Sequence, residues 1–364
     1  MCNKFIKVRN AAKRAAAVCL ALTLCSCGSQ AAGFTPKADI DREEYTYTEP
    51  PEETTAETTP QPEETTEATT TTAPPETTTE VTTTEPPKPV GLQDGVLDGH
   101  RFGVTKFSHK VYSNTKVKKA FAKLDDICDD YGGTISFAYK NLSTGTIITY
   151  NADTQYGICS TVKAPFCKNL LAKRVDPKDE INISVIWDQD GGEVAKGGIG
   201  KTYTTKELIR LAITQSDNSA YYNLVNYYGY ESFNKQCAQL GVSYNLGSSW
   251  IFNYGTANDL LKQYVDIYKY AAKTERGKWL VKLMTKTELE SQITAALGDK
   301  YPVAHKYGSD WDQKCYHDCA ICYADSPFVL IIMTSQEPET KESDKVFHKL
   351  AKQFDIINDQ IVAE

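Results

Sequence analysis

Between residues 51 and 90 the chain is built almost wholly from Thr, Pro and Glu, as in Glu63-Glu64-Thr65-Thr66-Glu67. Such a tract buries too little apolar surface to offset its conformational entropy, and its carboxylates repel one another. Proline stiffens it toward extended polyproline II, so it reads as a spacer. Globular structure must come from the chain beyond it. We assign residues 27–94 to a tether and 95–364 to one domain, whose Ile, Leu, Val, Phe and Tyr content can fill a substantial core.

Ahead of the tether, basic residues up to Arg14 precede an apolar stretch, Ala15 to Leu24, too short to span a bilayer comfortably. That is the layout of a secretory signal over residues 1–26. Its end, Leu24-Cys25-Ser26-Cys27-Gly28, resembles a bacterial lipobox, with a small residue directly before Cys27. The resemblance implies lipidation at Cys27 and a mature protein anchored to a cell membrane, outside the cytoplasm, without spanning it.

The net charge of −7 divides unevenly. The first 26 residues carry +5 and residues 41–90 carry −11, which leaves −1 for everything else. A nearly neutral body lacks the basic footprint that a nucleic-acid binder needs. Outside the start there is no apolar run near 20 residues, which excludes a polytopic membrane protein.

Along the body, Val117, Phe121, Leu124 and Cys128 recur at helical spacing until Gly132-Gly133. Residues 134–139 and 146–150 read as strands joined by a turn at Asn141 to Gly145. Helices are expected at 160–174, 205–215, 219–228, 231–240, 256–271, 276–284 and 287–297, with a capping box at Thr204 and Glu207. Strand patterns return at 302–306, 316–324 and 327–334 before a last amphipathic helix at 341–355. Strands grouped at both ends with helices between them predict an α+β protein. The end strands should meet in one antiparallel sheet flanked by helices, with an all-helical lobe beside it and a cleft between the two.

Three short patterns carry chemistry. Ser160-Thr161-Val162-Lys163 opens a helix, so one turn puts the Lys amine beside the Ser hydroxyl. A serine is a poor nucleophile until a base removes its proton, and a desolvated Lys can do so. Ser216-Asp217-Asn218 lies between helices and offers a hydroxyl to relay a proton and an amide to hold a substrate. His305-Lys306-Tyr307-Gly308 falls on a strand of the closing sheet, where Gly lets backbone approach a ligand closely. Each pattern alone is weak: Ser113-Asn114-Thr115-Lys116 also reads S-x-x-K, as a solvated helix start, and Lys196-Gly197-Gly198 also reads K-x-G.

Together and in this order, they resemble the penicillin-recognising serine enzymes, specifically the class A β-lactamase-like group with its β-lactamase/DD-peptidase fold. The resemblance covers about residues 118–335. It implies acyl transfer, with Ser160 as nucleophile, Lys163 as base and Ser216 passing a proton to the leaving nitrogen. Asn218 would bind the acylamide side chain, Lys306 would steer a carboxylate, and Tyr307, Gly308 and Ser309 would line the substrate strand. The backbone N–H groups of Ser160 and Ser309 would form the oxyanion hole.

Two departures stand out. The hydroxyl residue usual after the strand Lys is here Tyr307. The loop base with which class A β-lactamases hydrolyse the acyl-enzyme has no counterpart in Leu246 to Gly255, which contains no acid. Deacylation should therefore be slow. A β-lactamase-like hydrolase acting on β-lactams is the first expectation. A D-alanyl-D-alanine carboxypeptidase acting on peptidoglycan stem peptides, or a wall-binding module with weakened catalysis, is the alternative. The motifs imply neither metal nor organic cofactor, and a monomer is expected.

Other patterns point elsewhere. Cys315, Cys319 and Cys322 have the C-x3-C-x2-C spacing of an iron–sulfur site, but alternation along a strand turns Cys322 away from the other two. Seven cysteines follow Cys27, an odd number. Cys159 could pair with Cys315 or Cys319, or stay a buried thiol. Gly198-Ile199-Gly200-Lys201-Thr202 has the look of a phosphate loop but reads as a surface turn. His317-Asp318 reads as a polar pair on an edge strand.

Overall fold

The apolar positions of residues 117–128 fall on one face of a helix, and in the computed structural model that face packs against a seven-stranded antiparallel sheet. The structure describes residues 92–187, 191–247 and 251–361. The signal segment, Cys27 and nearly all of the tether lie outside the described residues. Among these residues no helix is long and apolar enough to cross a membrane.

The described chain begins with strands β1 (Leu92–Val96) and β2 (Gly103–Ser108), a short helix α1 (His109–Ser113) and helix α2 (Thr115–Asp130). Strand β1 starts three residues ahead of the expected domain boundary at 95. The hairpin of β3 (Ile135–Asn141) and β4 (Ile147–Tyr150) turns where the sequence placed it. There the Asn141 side chain accepts from the Ser143 and Thr144 nitrogens, and Gly145 takes φ +76°.

After a two-residue strand β5 (Tyr156–Gly157), a 3₁₀ turn over Cys159–Val162 runs into α3 (Lys163–Ala172). Every residue of α3 from Lys163 to Leu171 is buried, which marks it as the central helix of the lobe. Pro165 sits in its first turn, where a missing N–H costs no helical bond. Around it lie β6 (Glu180–Asn182), α4 (Glu193–Gly197), β7 (Thr202–Thr204), α5 (Thr205–Thr214), α6 (Asn218–Tyr228) and α7 (Glu231–Gln239). Then come β8 (Tyr254–Gly255), α8 (Ala257–Lys273) and α9 (Glu275–Met284). The expected Thr204–Glu207 capping box is present, and Thr256 with Asp259 makes another at the start of α8.

The chain closes with α10 (Ile293–Leu297), β9 (Val303–Asp310), β10 (Cys315–Cys322), β11 (Phe328–Ser335) and α11 (Lys341–Asn358). Helix α10 is half the length expected for 287–297. Its start is fixed by Asp318, whose carboxylate accepts from the Ile293 nitrogen. The sheet order is β1-β2-β4-β3-β11-β10-β9, so the strands from both ends of the domain meet at β3 and β11. Helices α2, α10 and α11 cover one face in a core that includes Phe121, Phe137 and Phe354. The other face packs on α8 and the lobe.

The expected edge pair is corrected by the strand order. Strand β10 is flanked by β9 and β11, so His317 and Asp318 are interior and fully buried. Asp318 bonds His305 Nδ1 at 2.9 Å, while His317 faces the opposite side of the sheet and reaches the Gly157 carbonyl at 2.9 Å. The turn at Gly198 to Thr202 and the Ser113–Lys116 helix start fall where expected, on the surface.

Candidate active site

The 3₁₀ turn presents Ser160 at the junction of lobe and sheet. Its neighbours Cys159, Thr161 and Val162 are buried while Ser160 itself is half-exposed. Cys159 holds φ +50°, a left-handed conformation that a residue with a Cβ adopts only when its surroundings enforce it. The enforcement is visible. Tyr264 of α8 donates to the Thr161 carbonyl at 3.1 Å, the Thr161 hydroxyl donates to the Ile158 carbonyl, and the Ile158 nitrogen bonds Asn253.

Strand β9 runs against this turn at the open edge of the sheet. A Cβ on Gly308 would lie 3.0 Å from the Ser160 nitrogen and 3.0 Å from Cys159 Cβ, so only glycine allows the approach. The next residue, Ser309, donates its hydroxyl to Glu339 at 3.1 Å.

Lys163, one turn after Ser160, is fully buried. Its amine donates to the Ser216 carbonyl (2.5 Å), to Asn218 Oδ1 (2.5 Å) and, more weakly, to the Ser216 hydroxyl (3.3 Å). Ser216 can meet it because its own backbone is left-handed, φ +55°, at the end of α5. Asp217 then caps α6 by accepting from the Ala220 nitrogen, and this fixes the direction in which Asn218 leaves.

Lys306 is the second fully buried amine, and it donates to the same Ser216 hydroxyl at 2.8 Å. The Tyr307 ring lies against that amine, 3.9 Å from centroid to nitrogen, and the Tyr307 carbonyl accepts from it at 3.0 Å. Burial, reinforced by the facing Lys163, holds the Lys306 amine well below the usual lysine range. Lys306 thus faces Ser216, and Tyr307 covers it.

The sequence reading did not place Phe252 at the site. The Lys163 amine lies 5.6 Å from the Phe252 ring centroid and 5.9 Å from that of Tyr221. Phe252 packs on Tyr221 and on Trp187. Its place in the acid-free stretch 246–255 was visible, but nothing in the sequence aimed it at Lys163. Of the eight residues marked for the cleft, Lys163, Ser216, Asn218 and Lys306 meet through hydrogen bonds, Tyr307 lies on the Lys306 amine and Gly308 abuts the Ser160 nitrogen, while the Ser309 side chain turns to Glu339.

A profile of the β-lactamase enzyme family matches residues 117–360, a span that holds the whole of this cleft. The chain belongs to that family. Among solved structures, it is similar to a point mutant of PBP-A described as an acyl-enzyme complex with penicillin G. The identity is 17% over 68% of this chain and 97% of that one, with a TM-score of 0.59. A class A β-lactamase from Mycobacterium abscessus gives 18% identity over 65% of this chain and 97% of that one, with a TM-score of 0.57. A β-lactamase from Sphaerobacter thermophilus gives 19%, 70%, 99% and 0.58 for the same measures. At these identities the likeness is one of fold, and the antiparallel sheet with its flanking helices and helical lobe is the β-lactamase fold.

Proposed function

We propose that this β-lactamase-family serine hydrolase forms an acyl-enzyme on Ser160 from β-lactams or D-alanyl amides and releases it slowly. One observation carries the reading: both buried amines donate to the Ser216 hydroxyl. A hydroxyl has two lone pairs and one proton. With the lone pairs met by Lys163 and Lys306, its proton is left to point into the cleft, toward a leaving nitrogen.

Acylation runs through these groups in turn. Ser160 Oγ attacks the substrate carbonyl and its proton passes to the Lys163 amine, which as neutral base keeps its two N–H bonds to the Ser216 carbonyl and Asn218 Oδ1 and, once protonated, donates the third to the Ser216 hydroxyl. Two amines crowded on one hydroxyl repel each other if both are protonated, and this favours a neutral member. The backbone N–H groups of Ser160 and Ser309 hold the oxyanion, where one donor is typically worth about 3 kcal/mol. The C–N bond breaks as Ser216 gives its proton to the nitrogen and takes in its place the proton that Lys163 received from Ser160. Asn218 keeps Lys163 in place through Oδ1 and offers its amide nitrogen to the substrate's acylamide group. Lys306 orients Ser216, and a substrate carboxylate would meet the Tyr307 face in front of it.

Hydrolysis of the ester then needs an activated water. Phe252 and Tyr221 wall the Lys163 amine, and stretch 246–255 supplies no carboxylate. That favours the second reading, a penicillin-binding D-alanyl-D-alanine carboxypeptidase or related wall enzyme, over rapid antibiotic turnover. Lipidation at Cys27, with residues 27–94 as tether, would hold the domain outside the cytoplasm near its wall substrate.

The test is intact mass after mixing with benzylpenicillin. One adduct per chain, mapped to Ser160 and absent in Ser160→Ala, is the expected result. If Ser160→Ala retains the adduct, or the intact protein never forms one, acyl transfer to β-lactams at this serine is wrong. Parallel release of D-alanine from a D-alanyl-D-alanine peptide separates the carboxypeptidase from a module that only binds.

A further inference from the structure

Behind the nucleophile turn lies a second cluster of reactive side chains. The sulfurs of Cys159 and Cys315 and a ring nitrogen of His317 lie within 4.8 Å of one another, all buried. Cys159 immediately precedes Ser160, and Cys315 opens β10 opposite Asp310 of β9. Both cysteines are thiols in this structure.

By donor type, two thiols and an imidazole could bind zinc. The imidazole argues against it. The Thr334 backbone N–H donates to His317 Nδ1 at 3.2 Å, so Nδ1 is an acceptor and Nε2 carries the proton. That Nε2–H donates to the Gly157 carbonyl at 2.9 Å. A metal at Nε2 would have to displace that proton and break the bond, while the backbone donor still blocks Nδ1.

We propose that Cys159 and Cys315 are a redox pair that closes into a disulfide, tying the turn that carries Ser160 to strand β10. The oxidant is a small organic disulfide. The Cys315 thiolate attacks one of its sulfurs and expels a first thiolate. Cys159 then attacks the Cys315 sulfur of the mixed disulfide and expels a second. Two electrons pass from the protein sulfurs to the small disulfide, which leaves as two thiols carrying the protons that Cys159 and Cys315 gave up.

The surroundings select this pair. The hydrogen bond with Cys159 holds the Cys315 thiol well below its usual value against the opposing effect of burial. The same bond, with burial, holds Cys159 above its usual value, so Cys315 is the attacking member. Burial pushes up the thiols of Cys128, Cys167, Cys237, Cys319 and Cys322, which leaves them poor nucleophiles. The inference stands apart from the acyl-transfer reading and does not need Ser160 to react.

The experiment incubates the reduced full chain with oxidised glutathione and follows intact mass, peptide map and melting temperature. The expected product has lost two hydrogens, links the peptides of Cys159 and Cys315, and melts roughly 5–10 °C higher. Cys319→Ser should keep the link, whereas Cys159→Ser should leave Cys315 as a stable glutathione adduct. A link between other cysteines of residues 95–364, or survival of all seven thiols of that span through oxidation, would overturn the proposal. So would equimolar zinc protecting Cys159 and Cys315 from alkylation. The Cys319→Ser and unsubstituted chains decide the matter even if Cys159→Ser fails to fold.

Discussion

The two faces of the sheet are built by different rules. Under α2, α10 and α11, Phe354 packs edge-to-face on Phe137 and stacks on Tyr139 at 5.1 and 5.3 Å, and the apolar positions follow the helical and strand periods closely. Across the sheet, where the nucleophile turn meets β9, two lysines are fully buried and two non-glycine residues, Cys159 and Ser216, are left-handed. Both departures cost free energy, of order 1–3 kcal/mol for each strained backbone position. One face maximises packing, and the other gives up stability to bring Ser160, Lys163, Ser216 and Lys306 together. Left-handed residues also occur elsewhere, as at Lys106 and Asn151, so it is the two fully buried amines on one hydroxyl that mark the site.

The sharpest way to probe that contrast is at Phe252, the ring over Lys163. Phe252→Glu places a carboxylate where the structure has an aromatic wall. A positioned general base contributes about 10²–10⁴-fold, so the penicillin adduct should decay at least about 100-fold faster. An unchanged adduct lifetime in pulse-chase mass spectrometry would mean that the missing base is not what limits deacylation.

Phe354→Ala on the packing face should lower stability by about 3–5 kcal/mol in denaturant titrations. The adduct should form at the normal rate while the protein stays folded. Lys306→Met on the site face should do the reverse. Acylation should fall by at least about 100-fold as Ser216 loses a donor, while stability holds or rises, because a buried amine has been replaced by an apolar chain of similar length. If the two variants affect stability alike, the contrast between the faces is false.

Alkali should weaken both faces equally. Burial raises Cys128 and Cys167, one on each face, to about 12. A thiol raised above its unfolded value of about 8.5 stabilises the fold fully below that pH and loses the effect as pH climbs toward 12. Stability should therefore fall between about pH 9 and 11 in urea titrations. Cys128→Ala and Cys167→Ala should flatten that slope by similar amounts.

The packing face was the more legible of the two. Helices α2 and α11 and the strands they cover follow from periodicity and caps, because there the local pattern and the tertiary environment agree. Strands β1 and β2 escaped notice: Gln93, Asp94 and Gly95 interrupt any alternation, and β1 is the sheet's other edge. The site was legible only as three motifs. Their residues do converge, but no sequence rule shows that Cys159 and Ser216 turn left-handed or that Lys306 points inward. Nor does one show Phe252 closing over Lys163. Those features come from contacts between segments far apart in the chain, such as Lys163 with Ser216 and Tyr264 with Thr161.

The central claim is that the cleft is built to acylate and poorly built to deacylate. Stopped-flow mixing with a chromogenic β-lactam in modest excess measures both steps at once. The account predicts a burst of one equivalent per Ser160, then a steady state slower by about 100-fold or more, with no burst in Ser160→Ala. Rapid linear hydrolysis of many equivalents without a burst would contradict it.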